Sequence, residues 1–124
     1  METNRTAGQL MQEYYDLLKE GRASFDEVRL RSLLAPDLVF EGPIAGHVVG
    51  AERFIKGVSG FVQTTRGLHI LEGLNFEDKA AALYDAEMPG GPVRFAEFFQ
   101  ADGGKIQSLR LLYDAGEYRA RGGR

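Results

Sequence analysis

Apolar side chains recur along this chain with two periods, and the change of period divides it. Over residues 6–19, Leu10, Tyr14, Leu17 and Leu18 fall on one stripe at helical spacing, which predicts an amphipathic helix. Thr6 is placed as its N-cap, with Gln9 positioned for a capping box, and Gly21 as its stop. A second helix follows, with Ser24 and Glu27 as another capping box. Val28 with Leu33 or Leu34 supplies its buried side and Pro36 its end. Residues 38–41 predict a short strand closed by Gly42-Pro43, and a loop then runs through Ala45, Gly46 and His47 to Gly50. Over 51–62 the helical period returns, grouping Phe54, Val58, Phe61 and Val62. Gly57 and Gly60 weaken that helix by up to ~1 kcal/mol each relative to alanine.

From Leu68 onward the period is two. Leu68, Ile70, Leu74 and Phe76 alternate, with Glu72 on their side. After a turn at Glu77-Asp78-Lys79, the even positions Ala82, Tyr84, Ala86 and Met88 share a face, opposite Asp85 and Glu87. Pro89-Gly90-Gly91-Pro92 turns the chain into a long hairpin over 92–114, folded at Ala101-Asp102-Gly103-Gly104. In the hairpin Val93, Phe95, Glu97 and Phe99 share one face, as do Leu109, Leu111 and Tyr113. Glu97 is the one carboxylate on this apolar face, which makes it the most informative residue of the chain. Helices first and consecutive strands afterwards give an α+β layout, with the helices on one face of an antiparallel sheet. The other face is expected to carry Asp85, Glu87, Arg94 and Arg110 with Phe98, Ile106 and Leu112 among them, a mixture suited to self-association.

Composition narrows the class. The 124 residues suffice for one domain, with an ordered core expected over about 6–118 and a frayed basic tail at Arg119, Arg121 and Arg124. The net charge of −3 predicts no general attraction to nucleic acid or anionic membrane. No apolar run is long enough to span a membrane and no signal-peptide pattern opens the chain, so a cytoplasmic location is the default expectation. The absence of cysteine excludes disulfides, thiol catalysis and thiolate metal sites. The two histidines, His47 and His69, show no metal-ligand spacing, and neither metal nor organic cofactor is expected.

The order of elements, with QEYYDLLKEG in the first helix, LLAPDLVFEGP across the second helix and first strand, GAERF opening the third helix and FAEFFQADGGKIQSLRLLYD at the end, resembles the nuclear transport factor 2-like superfamily. Within it, the chain is most similar to the SnoaL-like and ketosteroid-isomerase-like proteins. The resemblance implies a single domain over 1–124, a cystatin-like, strongly curved antiparallel sheet wrapped around the N-terminal helices as a cone with an internal pocket, and a homodimer through the outer sheet face. In such a cone, core and pocket wall are one face, so Phe40, Phe54, Tyr84, Phe95, Leu109 and Tyr113 are the expected substrate-binding wall.

Function is not fixed by this fold. By resemblance to ketosteroid isomerases, Tyr14 stands where a tyrosine donates a hydrogen bond to a developing enolate. Glu97 matches the neutral acid that donates the second bond, if one residue is missing from the following turn. The aspartate base of those enzymes precedes a proline after the first strand, and here that position is Gly42. Limonene epoxide hydrolases use an arginine held between two aspartates. The matching places hold Asp85, Glu87 and Leu111, which does not support that chemistry. SnoaL-type polyketide cyclases move a proton with an acidic residue, a role open to Glu97 or His47. Sites like that of scytalone dehydratase pair histidines with tyrosines, for which His47, Tyr14, Tyr84 and Tyr113 are the candidates. The expectation is a pocket for a small, largely apolar molecule, with proton transfer near a carbonyl carried by Tyr14, Glu97 and His47 in a cofactor-independent isomerase, cyclase or lyase. A non-catalytic binding module and a protein-interaction domain stay open as alternatives.

Overall fold

The computed structural model describes residues 5–123. Helix α1 (Ala7–Leu18) starts on the capping box read from the sequence: Thr6 Oγ1 accepts from Gln9 N at 3.1 Å and Gln9 Oε1 from Thr6 N at 2.8 Å. Gly21 ends this segment with φ +60°, and a Cβ there would stand 2.6 Å from the Thr65 carbonyl oxygen, so no other residue fits without displacement. Helix α2 (Glu27–Leu33) is capped by Asp26, whose side chain accepts from Arg29 N. The expected cap, Ser24, instead donates to the Leu17 carbonyl. Val28 is exposed and Leu30 takes the buried place. The helix gives way at Leu34 to β1 (Leu34–Gly42), so Pro36 lies within a strand rather than stopping the helix. The stretch expected as a loop contains β2 (Gly46–Val49), which pairs antiparallel with β1.

Helix α3 (Ala51–Thr64) is followed by four strands: β3 (Leu68–Phe76), β4 (Lys79–Met88), β5 (Gly91–Asp102) and β6 (Lys105–Leu112). The six strands form one sheet in the order β2-β1-β6-β5-β4-β3, curved around the helices but not closed. It is not wholly antiparallel, because β1 runs parallel to β6, with Phe40 beside Leu109 and Glu41 beside Arg110. A final helix, α4 (Ala115–Ala120), replaces the expected frayed tail. It buries Tyr118, and Arg121 fastens it to the β4–β5 turn by accepting from Gly90 N at 2.9 Å and donating to Pro92 O at 3.0 Å. Arg124 lies outside the described residues.

Two irregularities change which side chains face inward. The register of β3 against β4 shifts between Ile70 and Glu72. Leu68 and Ile70 therefore sit beside the inward Ala86 and Tyr84, whereas Leu74 and Phe76 point to solvent. The expected single face for these four residues is thus broken. A second shift, between Gln100 and Ala101, places Ile106 opposite Ala101 and inside the core. Ile106 is lost from the outer face to which the alternation assigned it. Elsewhere the alternation holds: Ala82, Tyr84, Ala86, Val93, Phe95, Glu97 and Phe99 are all buried between the sheet and α1 and α3. No helix among the described residues is long and apolar enough to cross a membrane.

Candidate functional site

The hollow of the sheet is filled mostly by rings. Tyr84 and Phe95, neighbours across β4 and β5, stack in parallel with centroids 5.2 Å apart. Tyr113, just beyond β6, packs on Phe95 at 4.6 Å, and Tyr118 of α4 closes on Tyr113 at 5.1 Å. From the helices, Phe54 lies 5.2 Å from Phe40 and 6.0 Å from Tyr14. Between these rings a cavity of about 210 Å³ opens to solvent.

Glu97 enters this apolar space from β5, with the small Ala82 beside it on β4. It is 1% exposed, and no lysine or arginine pairs with it among the described residues. Its Oε1 accepts from the Tyr15 hydroxyl at 2.9 Å and, more weakly, from Tyr84 at 3.5 Å. Its Oε2 makes no hydrogen bond to the described residues. No side-chain oxygen there is both sealed and unpartnered, so Oε2 is the atom left open to the cavity. Burial pushes the carboxyl from its ordinary 4.5 up to about 8, against the two tyrosine hydrogen bonds, which favour the anion. At neutral pH Glu97 is therefore mostly a neutral acid. It accepts at one oxygen and is able to donate at the other.

Tyr14 and Tyr15 follow one another on α1 and point different ways. Tyr15 turns to Glu97, Tyr84 and Phe99. Tyr14 lines the cavity, and its hydroxyl has no protein partner among the described residues. Burial first, and the nearby Glu97 second, raise the Tyr14 pKa well above the ordinary phenol value, so this hydroxyl stays protonated and is a donor only in the direction of the cavity.

Of the residues singled out from the sequence, Tyr14, Phe40, Phe54, Tyr84, Phe95, Glu97 and Tyr113 line this one cavity. Leu109 is wholly buried behind the wall and does not reach the space. His47 lies on the exposed strand β2 and is not among the lining residues, so its position lends no support to a catalytic role. Gly42 brings no acid to the site. A Cβ at this position would already stand 3.1 Å from the ring of Phe40. Glu41 faces the other side of the sheet and meets Arg110 at 3.7 Å. Glu97 is thus the sole carboxyl lining the cavity among the described residues. Asp85 is likewise turned outward, forked to Arg94 at 2.9 and 3.1 Å.

Sequence reasoning passed over Tyr15, Arg53 and Tyr118. The signal for Tyr15 was a second buried stripe on α1, Met11, Tyr15 and Leu18, overlapping the first. No group of three or more His, Cys, Asp or Glu side chains suited to a metal ion occurs among the described residues.

The SnoaL-like domain family matches residues 11–109 of the chain. No curated protein matches it. Among solved structures, the chain is similar to an NTF2-like protein from Cytophaga hutchinsonii at 20% identity, over 96% of this chain and 99% of that one, with a TM-score of 0.76. It is similar to a steroid delta-isomerase from Pseudomonas aeruginosa at 18% identity, covering 97% and 90%, with a TM-score of 0.77. A Jannaschia sp. CCS1 protein assigned as a SnoaL-like polyketide cyclase matches at 14% identity over 98% and 96%, with a TM-score of 0.74. At these identities the likeness is one of fold.

Proposed function

Because the chain belongs to the SnoaL-like domain family, whose fold is compatible with more than one chemistry, we propose from its own residues that it binds a small, largely apolar carbonyl compound in the cavity and promotes proton transfer beside the carbonyl. The observation that carries this reading is Glu97, a neutral acid whose Oε2 opens on an aromatic cavity that Tyr14 also lines. Two donors directed at one ligand oxygen stabilise an enolate more than the parent ketone, because charge builds on that oxygen as the neighbouring proton passes to solvent water through the cavity's opening. Steroid isomerisation and polyketide cyclisation are the activities named for two structural neighbours.

A second reading, a binding module without catalysis, is favoured by the lack of any other carboxyl lining the cavity among the described residues. Two measurements separate the readings. A naphthol imitates an enol, and its fluorescence reports binding. Glu97→Ala and Tyr14→Phe should each weaken 2-naphthol by about 1–3 kcal/mol, and Glu97→Gln by less, since an amide still donates. Affinity indifferent to all three removes the cavity from consideration. Exchange of the α-protons of 2-tetralone in deuterated water, followed by NMR, then reports catalysis. Acceleration lost in Glu97→Ala supports the isomerase-like reading, whereas naphthol binding without exchange supports the binding module.

A further inference from the structure

Among the described residues, one carboxyl and one guanidinium line the cavity: Glu97 in its depth and the exposed Arg53, in the first turn of α3. Arg53 has neither an ion-pair nor a hydrogen-bond partner among the described residues. Other helix arginines do: Arg29 meets Glu13 at 3.2 Å, and Arg31 forks onto Glu52 at 2.7 and 2.9 Å. Glu52, the acid next to Arg53, is therefore already engaged with Arg31. Burial, and Tyr118 beside it, raise the phenol pKa of the lining Tyr113, against the Ile44 backbone and the nearby Arg119 of α4, which lower it. The acids of that helix are also occupied. Asp114 caps its first turn, and Glu117 lies 3.5 Å from Arg121. In a chain of net charge −3, Arg53 is thus a lining cation without an acid partner among the described residues.

We infer that Arg53 holds a carboxylate of the bound molecule at the rim, so that the ligand class is an apolar body with an oxygen for Glu97 and Tyr14 at one end and an acid at the other. This rests on the ligand-pocket reading above and narrows it. A carboxylate suits the place because the guanidinium fork matches its two oxygens, and because a single negative charge balances a single lining cation.

The test compares 2-naphthol with 6-hydroxy-2-naphthoate, at about pH 6.5, where the acid is ionised. The parent protein should bind the acid more tightly by about fivefold, as expected for one ion pair at a solvated rim. Arg53→Gln should bring the ratio of the two Kd values close to one, and Arg53→Lys should retain part of it. Arg66→Gln, an exposed arginine away from the cavity, should leave the ratio unchanged. In the parent the preference should shrink at about 0.5 M salt. Equal affinity for both compounds, or a preference that survives Arg53→Gln, overturns the inference while the pocket reading stands. Failure of 2-naphthol itself to bind overturns both.

Discussion

Protonation of Glu97 couples the pocket to pH. Unfolded, this carboxyl titrates near 4.5; folded, burial brings it to about 8, so between these values the folded state binds the extra proton. Stability contributed by that proton is complete below about 4.5 and is lost as pH rises through about 8, a change on the order of 5 kcal/mol. Urea unfolding at several pH values should show stability falling across this window in the parent, and a flatter profile in Glu97→Gln. An identical slope in both would place the titration elsewhere. Tyr15 supplies the main hydrogen bond to the anion, at 2.9 Å, so Tyr15→Phe should raise the Glu97 pKa further, read by carbon-13 NMR of the carboxyl. A fall in that variant would mean that the hydroxyl does not favour the anion. Glu97 was legible in the sequence because a carboxylate interrupts an apolar alternation. Its partner Tyr15 was not, since a helix with two overlapping buried stripes does not declare which ring meets a strand far away in sequence.

At the scale of elements, α4 has an effect out of proportion to its length. Tyr118 packs edge-on to Phe95 at 5.9 Å and against Tyr113, so this one helix holds part of the cavity wall in place. Tyr118→Ala should cost about 3 kcal/mol in stability and also weaken 2-naphthol binding. An undisturbed melting curve would show α4 to be a detachable appendage. Six residues are too few for their periodicity to be read, and α4 forms because Asp114 caps it and Arg121 ties it to the β4–β5 turn. The strand β2 escaped for a similar reason: its four residues are held by pairing with β1, which local composition does not report. The alternation of β4 and β5 was read correctly because both strands bury one face along their whole length. In β3 and β6 a register shift moved residues across the sheet, and a period of two carries no warning of where such a shift falls.

For the molecule as a whole, the outer face of the sheet presents exposed apolar side chains. In register across β3, β4 and β5 lie Leu74, Ala81 and Phe98, and in the next row Leu83, Ala96 and Leu112. Phe98 is 49% exposed and Leu112 60%. The ion pairs Asp85–Arg94 and Glu41–Arg110 flank them. If two copies pair through this face, Leu112→Glu sets like charges near a two-fold axis, and sedimentation should find monomer where the parent is a dimer. A parent that sediments as a monomer at micromolar concentration sinks that assembly. Ile106, which lies inside the core, takes no part in it. The parallel pairing of β1 with β6 bears on how the chain reaches this form. Strands β3, β4 and β5 can join as a local meander, but β1, made early, finds its partner only after β6 exists. Contacts so distant along the chain form slowly. Until they form, Phe40 stays apart from the rings of β4 and β5, and the cavity between them is incomplete. A compound that fits the cavity therefore recognises only finished molecules. It would raise the yield of refolding by retaining them rather than by hastening the first steps.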